Sequence, residues 1–174
     1  MRGVKGRIAC FLVLAATFTL AAAAAAALPA QVTLHGVGGV TPGMGAGEVE
    51  QRWGLDLELQ TIGPGSDCAT AAVHRGGMAG YAIFFGERFQ AVWLDKGAVT
   101  ARGIRIGSSV SDLRRAYGGA LTSRANKYTT GAKDYFVRRA RAPRWQLRFD
   151  VSPGGLVTVI GFGNKAVRLV EGCA

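Results

Sequence analysis

Apolar residues recur at helical spacing in two short stretches of the chain. Ala46, Val49 and Trp53 fall at i, i+3 and i+7, and Val110, Leu113 and Tyr117 repeat that stripe. A spacing of this kind lays the three side chains on one helical face, so it predicts helices over Ala46–Trp53 and Val110–Tyr117. Gly54 and Gly118 follow the last apolar residue of each stripe, where a left-handed residue commonly ends a helix. Ser109 with Asp112 reads as a capping box at the second start, and Gly45 with Glu48 is its weaker counterpart. Period two then takes over. Leu55, Leu57 and Leu59 alternate with Asp56 and Glu58, which predicts a strand. Tyr81–Phe85 and Phe89–Leu94 flank Gly86-Glu87-Arg88 as a hairpin, and Trp145–Val151 and Leu156–Phe162 flank Ser152-Pro153-Gly154-Gly155 as another.

These stretches match one another. Gly39 to Gly54 recurs as Gly103 to Gly118, 64 positions later, with glycines, an acid, an aliphatic and an aromatic in step. Tyr81, Ile83 and Phe85 match Trp145, Leu147 and Phe149 at the same 64, and Ala98-Val99 match Ala166-Val167 at 68. A self-match at fixed spacing signals a duplicated unit. The expected fold class is α+β: two tandem repeats, each a short helix followed by three to four antiparallel strands, forming one sheet with the helices packed on one face. The expected organisation is a signal peptide over 1–27, an N-terminal segment over 28–35, and repeat units over 36–99 and 100–174.

Gly43-Met44 through Gly54 and Gly107 through Gly118, each a turn leading into a short glycine-ended helix, resemble the β-lactamase inhibitory protein family. They also resemble the single unit of the small outer-membrane assembly lipoproteins. The resemblance covers most of residues 36–173 in arrangement. It implies a tandem helix-plus-meander fold and a binding protein, and it carries over no functional residue. In the inhibitor family a cysteine pair lies inside each unit, whereas here the two downstream cysteines fall in different units.

Composition adds a compartment. Arg2, Lys5 and Arg7 precede the apolar run Ile8–Leu20, then Ala21–Ala27 and Leu28-Pro29-Ala30. Basic start, apolar middle and small-residue exit make a secretory signal, cleaved after Ala27 or Ala30. No second stretch is long enough to span a bilayer. Beyond Ala27 there are 18 basic side chains against 11 acidic, a net charge of +7. Two cysteines remain there, Cys68 and Cys173. In an oxidising compartment such a pair is most simply a disulfide, with a metal site or a reactive thiol as the alternatives. The localisation read from this is secreted or extracytoplasmic, in association with the cell envelope.

Catalytic chemistry is hard to assemble from this chain. Its histidines are His35 and His74, with no adjoining carboxylate cluster at metal-ligand spacing. Ser108, Ser109 and Ser111 belong to a helix start, and no Gly-x-Ser-x-Gly elbow occurs. Gly161 to Ala166 formally fits a dinucleotide fingerprint, but eight residues after it leave no room for the helix and acid that its mechanism needs. No cofactor or metal is implied. The suggestive stretch is basic: eight Lys and Arg against Asp134 between Arg124 and Arg148, interleaved with Tyr128, Tyr135, Phe136 and Trp145. Strand alternation places Arg144, Gln146 and Arg148 on one face, expected in water. Arg138, Arg139, Arg141, Arg144 and Arg148 are the candidate binding surface. The expected function is a secreted, non-catalytic interaction protein, an enzyme inhibitor or an envelope module. It is expected to be a monomer that takes a protein or an anionic envelope polymer and no nucleic acid. The alternative is a secreted hydrolase whose carboxylates meet in space.

Overall fold

The computed structural model describes residues 30–75, 77–139, 142–169 and 173. The signal reading over 1–27 lies outside them, as does Arg141. The strands in chain order are β1 (Ala30–Thr33), β2 (Gly36–Val37), β3 (Gln60–Thr61), β4 (Cys68–Arg75), β5 (Met78–Phe85), β6 (Arg88–Lys96), β7 (Ala98–Thr100), β8 (Leu121–Ala125), β9 (Lys133–Arg139), β10 (Ala142–Val151) and β11 (Val157–Gly163). Helix α1 (Ala46–Trp53) lies between β2 and β3, and α2 (Val110–Tyr117) between β7 and β8. Both helices keep the bounds that the apolar stripes predict. Gly54 closes α1 in the left-handed conformation. At α2 the capping box forms: the Asp112 N–H donates to Ser109 Oγ at 3.2 Å and the Ser109 N–H to Asp112 Oδ2 at 3.0 Å.

Eight strands form one antiparallel sheet in the order β3-β4-β5-β6-β11-β10-β9-β8. A separate three-stranded sheet, β2-β1-β7, includes a parallel pair in which Gln31 faces Val99. The expected α+β class, with two helix-plus-meander repeats in one sheet and helices covering one face, is therefore corrected. Among the described residues the chain is mostly β, with two α-helices beside an eight-stranded sheet. Each helix has eight residues, and only Val49 and Trp53 of α1 and Leu113 and Tyr117 of α2 are fully buried. Two such helices are too small to cover eight strands. The small sheet and its neighbouring loops share the work through Val32, Val37, Val40, Ala98 and Ile104, all in the same apolar cluster as Phe84, Phe89, Phe149 and Phe162.

Leu55–Leu59 is a second correction. Its leucines do turn inward against the core while Asp56 and Glu58 stay exposed. The backbone pairs with β4 only from Gln60, so the alternation marks an extended edge segment without a ladder. Both expected hairpins form, β5–β6 and β10–β11.

The opposite face of the large sheet is also covered. One row runs across it through Tyr81, Trp93, Gly161, Arg148 and Phe136, paired strand to strand. After β11 the chain doubles back over this row. Asn164 Oδ1 accepts from the Ala166 N–H at 2.8 Å, opening a short 3-10 turn over Lys165–Arg168. Ala166 and Val167 are then buried with Cys68, Ile83, Ala91 and Trp93. Gly161 makes room for them: a Cβ there would lie 3.0 Å from Val167 Cγ2, 3.2 Å from Trp93 Cδ1 and 3.3 Å from Arg148 Cβ. The disulfide joins Cys68 to Cys173 with the Cα atoms 5.6 Å apart, across a sequence separation of 105. It ties the end of this strap to β4. Closing a loop of about 100 residues is worth roughly 4.7 kcal/mol in the chain-entropy account.

Gly161→Ala should destabilise the fold by about 1–3 kcal/mol through overpacking. Val167→Ala made in the same chain should recover part of that loss, because the two side chains would contend for one space. Denaturant titration of the two single variants and the double variant measures the coupling. Strict additivity would show that Val167 does not seat over Gly161.

Candidate functional site

The basic stretch 124–148 folds into β8, β9 and β10, and alternation sorts its arginines by environment. Arg148 is buried at 3 % exposure, with Gln146 at 5 % and Asp134 at 0 % beside it. The expectation that Arg148 stands in water is corrected. Residues 146, 148 and 150 do share a face, but the strap covers that face. Arg148 forks onto Asp150, Nε to Oδ1 at 2.6 Å and Nη2 to Oδ2 at 3.2 Å. Its Nη2 lies 3.4 Å from Asp134 Oδ2. Its Nη1 donates to the carbonyls of Val167 at 3.2 Å and Leu169 at 2.8 Å. One planar guanidinium thus binds two carboxylates and two strap carbonyls, a fan of donors that a lysine cannot present.

Arg124 and Arg168 complete the group. Arg124 Nε donates to Asp134 Oδ2 at 3.0 Å and Nη2 to the Arg168 carbonyl at 3.0 Å. Asn126 Nδ2 satisfies the other oxygen of Asp134 at 2.8 Å. The guanidiniums of Arg124 and Arg168 stand 5.1 and 4.4 Å from the centre of the Phe136 ring, a favourable cation–π arrangement. Arg168 also reaches Gln146 Oε1 at 3.3 Å. Burial, with Arg124, Arg138 and Arg148 nearby, lowers the Arg168 pKa from its ordinary value. Burial raises that of Asp150, against the opposing pull of Arg148. Asp134 and Asp150 are the internal partners of this arginine group, and the sequence reading gave neither that role. Asp150 stands two positions from Arg148 on the same strand, a spacing that puts both on one face.

Arg138 and Arg144 behave differently. Both are exposed, and neither side chain makes a hydrogen bond or ion pair to a described residue. Arg139 ends β9, and Arg141 lies outside the described residues. The register between β9 and β10 shifts between Ala142 and Gln146. That irregularity detaches Arg144 from the alternation that buries Gln146 and Arg148. Arg138 and Arg144 therefore stand on either side of the β9–β10 connection, and Arg148 holds the fold.

Two open clefts lie elsewhere. One of about 350 Å³ separates the segment Leu55–Gln60 from β4 and is lined by Leu55, Asp56, Glu58, Gln60, Ala72 and His74. Asp56, Glu58 and His74 are all exposed. The other, about 320 Å³, lies beside α2 among Arg102, Arg105, Ser108, Asp112 and Arg115. No group of three or more potential metal ligands occurs among the described residues, and no helix among them is long and apolar enough to cross a membrane.

The pairing of Cys68 with Cys173 sets the protein in an oxidising, extracytoplasmic compartment. No protein-family model and no curated protein matches the chain. Two solved structures are similar in outline. One is a DUF4309 family protein from Bacillus subtilis, 15 % identical, with 68 % of this chain and 77 % of that one covered and a TM-score of 0.48. The other is a cysteine-rich secretory protein from Staphylococcus aureus, 9 % identical, covering 71 % of this chain and 44 % of that one, with a TM-score of 0.46. Neither is a β-lactamase inhibitory protein.

Because burial raises the Asp150 pKa, its folded-state value stands above its unfolded one. Its contribution to stability is then fully present below the unfolded value and is lost as pH rises through the folded one. Relative to Asp150→Asn, the parent should lose stability as pH rises above about 4, the ordinary carboxylate value. Urea midpoints of both proteins from that pH upward test the sign. A parent that gains stability over the variant on raising pH would show a lowered pKa instead.

Proposed function

We propose that this protein is a secreted, non-catalytic binding protein whose basic β9–β10 hairpin engages an acidic partner, on a protein surface or an anionic envelope polymer. The observation that carries this reading is the division among the arginines. Arg124, Arg148 and Arg168 are spent on Asp134, Asp150, Phe136 and the strap carbonyls. Arg138 and Arg144 stand exposed at the hairpin with no internal work. Charge is segregated along the chain in the same sense. Residues 36–99 carry four basic and seven acidic side chains, while residues 100–174 carry 14 basic and four acidic. A one-signed field of this kind speeds encounter with an opposite surface, and guanidiniums pair bidentately with carboxylate or phosphate. The hydrolase alternative has less to stand on, since the acids of the cleft beside β4 are exposed.

Replacing Arg138, Arg139, Arg141 and Arg144 by Ser should leave thermal stability within about 0.5 kcal/mol per surface site. Retention on isolated cell walls, or on a partner captured from the producing organism's supernatant, should fall at least tenfold at low salt and converge with the parent at high salt. Equal retention of both proteins at low salt would make the hairpin an ordinary solvated turn.

A further inference from the structure

The cleft beside α2 has a chemistry that the hairpin reading does not use. Its walls are the turn 102–108 and the exposed side of α2, and three of its eight lining residues are arginines. Two of those are engaged within the chain, Arg102 against α2 and Arg115 in an exposed i,i+3 pair. Arg102 Nη1 donates to the Ala116 carbonyl, and its guanidinium lies 5.5 Å from the centre of the Tyr117 ring. Arg115 Nη1 donates to Asp112 Oδ1 at 2.9 Å. Asp112, the one acid in the lining, is itself committed: its Oδ2 accepts from the Ser109 N–H at 3.0 Å and the Ser109 hydroxyl at 2.7 Å. Those hydrogen bonds from Ser109 hold its carboxyl below the ordinary range, so the group stays anionic and occupied at neutral pH. Arg105 is different. Its backbone N–H is fixed by Ser108 Oγ at 3.1 Å, while its exposed side chain has no partner among the described residues.

We infer that this cleft binds a phosphate group, with Arg105 as its free ligand and Arg102 and Arg115 as pre-positioned supports. Three guanidiniums against one engaged carboxylate leave an excess of about two positive charges, which matches a dianionic phosphate better than a single carboxylate. Holding two of the three in place beforehand lowers the ordering cost of binding. The site stands at the foot of α2, apart from the β9–β10 hairpin, so either can fail without the other.

The test is an amide chemical-shift titration of the disulfide-intact protein in low salt. Inorganic phosphate and a soluble glycerol-phosphate polymer are added in parallel, to the parent and to Arg105→Ser. Saturable shifts at Gly103, Ile104, Arg105, Ser108 and Arg115 are expected, weakened about tenfold or more in Arg105→Ser. Arg105 has no internal partner, so that variant should fold as the parent does, and Arg105→Lys should restore part of the affinity. Saturation by inorganic phosphate, with or without the polymer, would support a phosphate-reading cleft, while saturation by the polymer alone, whose diester groups each carry one charge, would overturn the match to a dianion. Shifts confined to other residues, or shifts of equal strength in Arg105→Ser, would overturn the inference.

Discussion

A guanidinium removed from water must recover several kcal/mol through its partners, and Arg148 does so with two carboxylates and two carbonyls at once. The carboxylates come from β9 and β10 and the carbonyls from the strap after β11, so one planar guanidinium joins the sheet to what covers it. Phe136, Trp93 and Ile83 are buried on this face only because the strap lies over it. The strap in turn needs Gly161 beneath Val167 and the disulfide at its end. Arg148 is where the polar and apolar parts of that arrangement meet. If the charge were removed, Asp134 and Asp150 would be left on a covered face with fewer donors, which is costly in itself.

One residue type therefore does two jobs in the basic half of the chain, and position decides which. An arginine under the strap is neutralised, hydrogen-bonded and structural. Arg138 on β9, Arg144 on β10 and Arg105 beside α2 are exposed, and their side chains pair with no described residue. The disulfide allows this division at modest size. It restrains a segment of few apolar residues, Ala166, Val167 and Cys173, that is otherwise held by a small apolar cluster and the charge network.

Local signals in the sequence carried the helices. Stripes of three apolar residues, Ser109 with Asp112, and Gly54 are read within a dozen positions of one another, and the structure keeps them. The hairpin turns at Gly86-Glu87 and Ser152–Gly155 are equally local. The layers were not legible, because a match between Gly39–Gly54 and Gly103–Gly118 reports two similar helices and says nothing of what packs over the sheet. Leu55–Leu59 shows the same limit at small scale: alternation reveals which side is apolar, but pairing needs a neighbour at the right distance. Arg148 was placed on the correct side of β10 and in the wrong environment, since strand period assigns a face and cannot say whether a segment 20 residues later will cover it. A hint was present in β6, where Phe89 to Leu94 runs nearly apolar without alternation, as a strand covered on both faces does.

The most direct measurement is the unfolding free energy of Arg148→Met in the disulfide-bonded protein, by denaturant titration. A side chain of similar length keeps the packing and removes the charge, so the result isolates the network. The account predicts a loss of about 3–5 kcal/mol, the cost of leaving covered carboxylates without their partner. A change within about 0.5 kcal/mol, as for an ordinary surface arginine, would contradict it and return Arg148 to the solvent-facing surface.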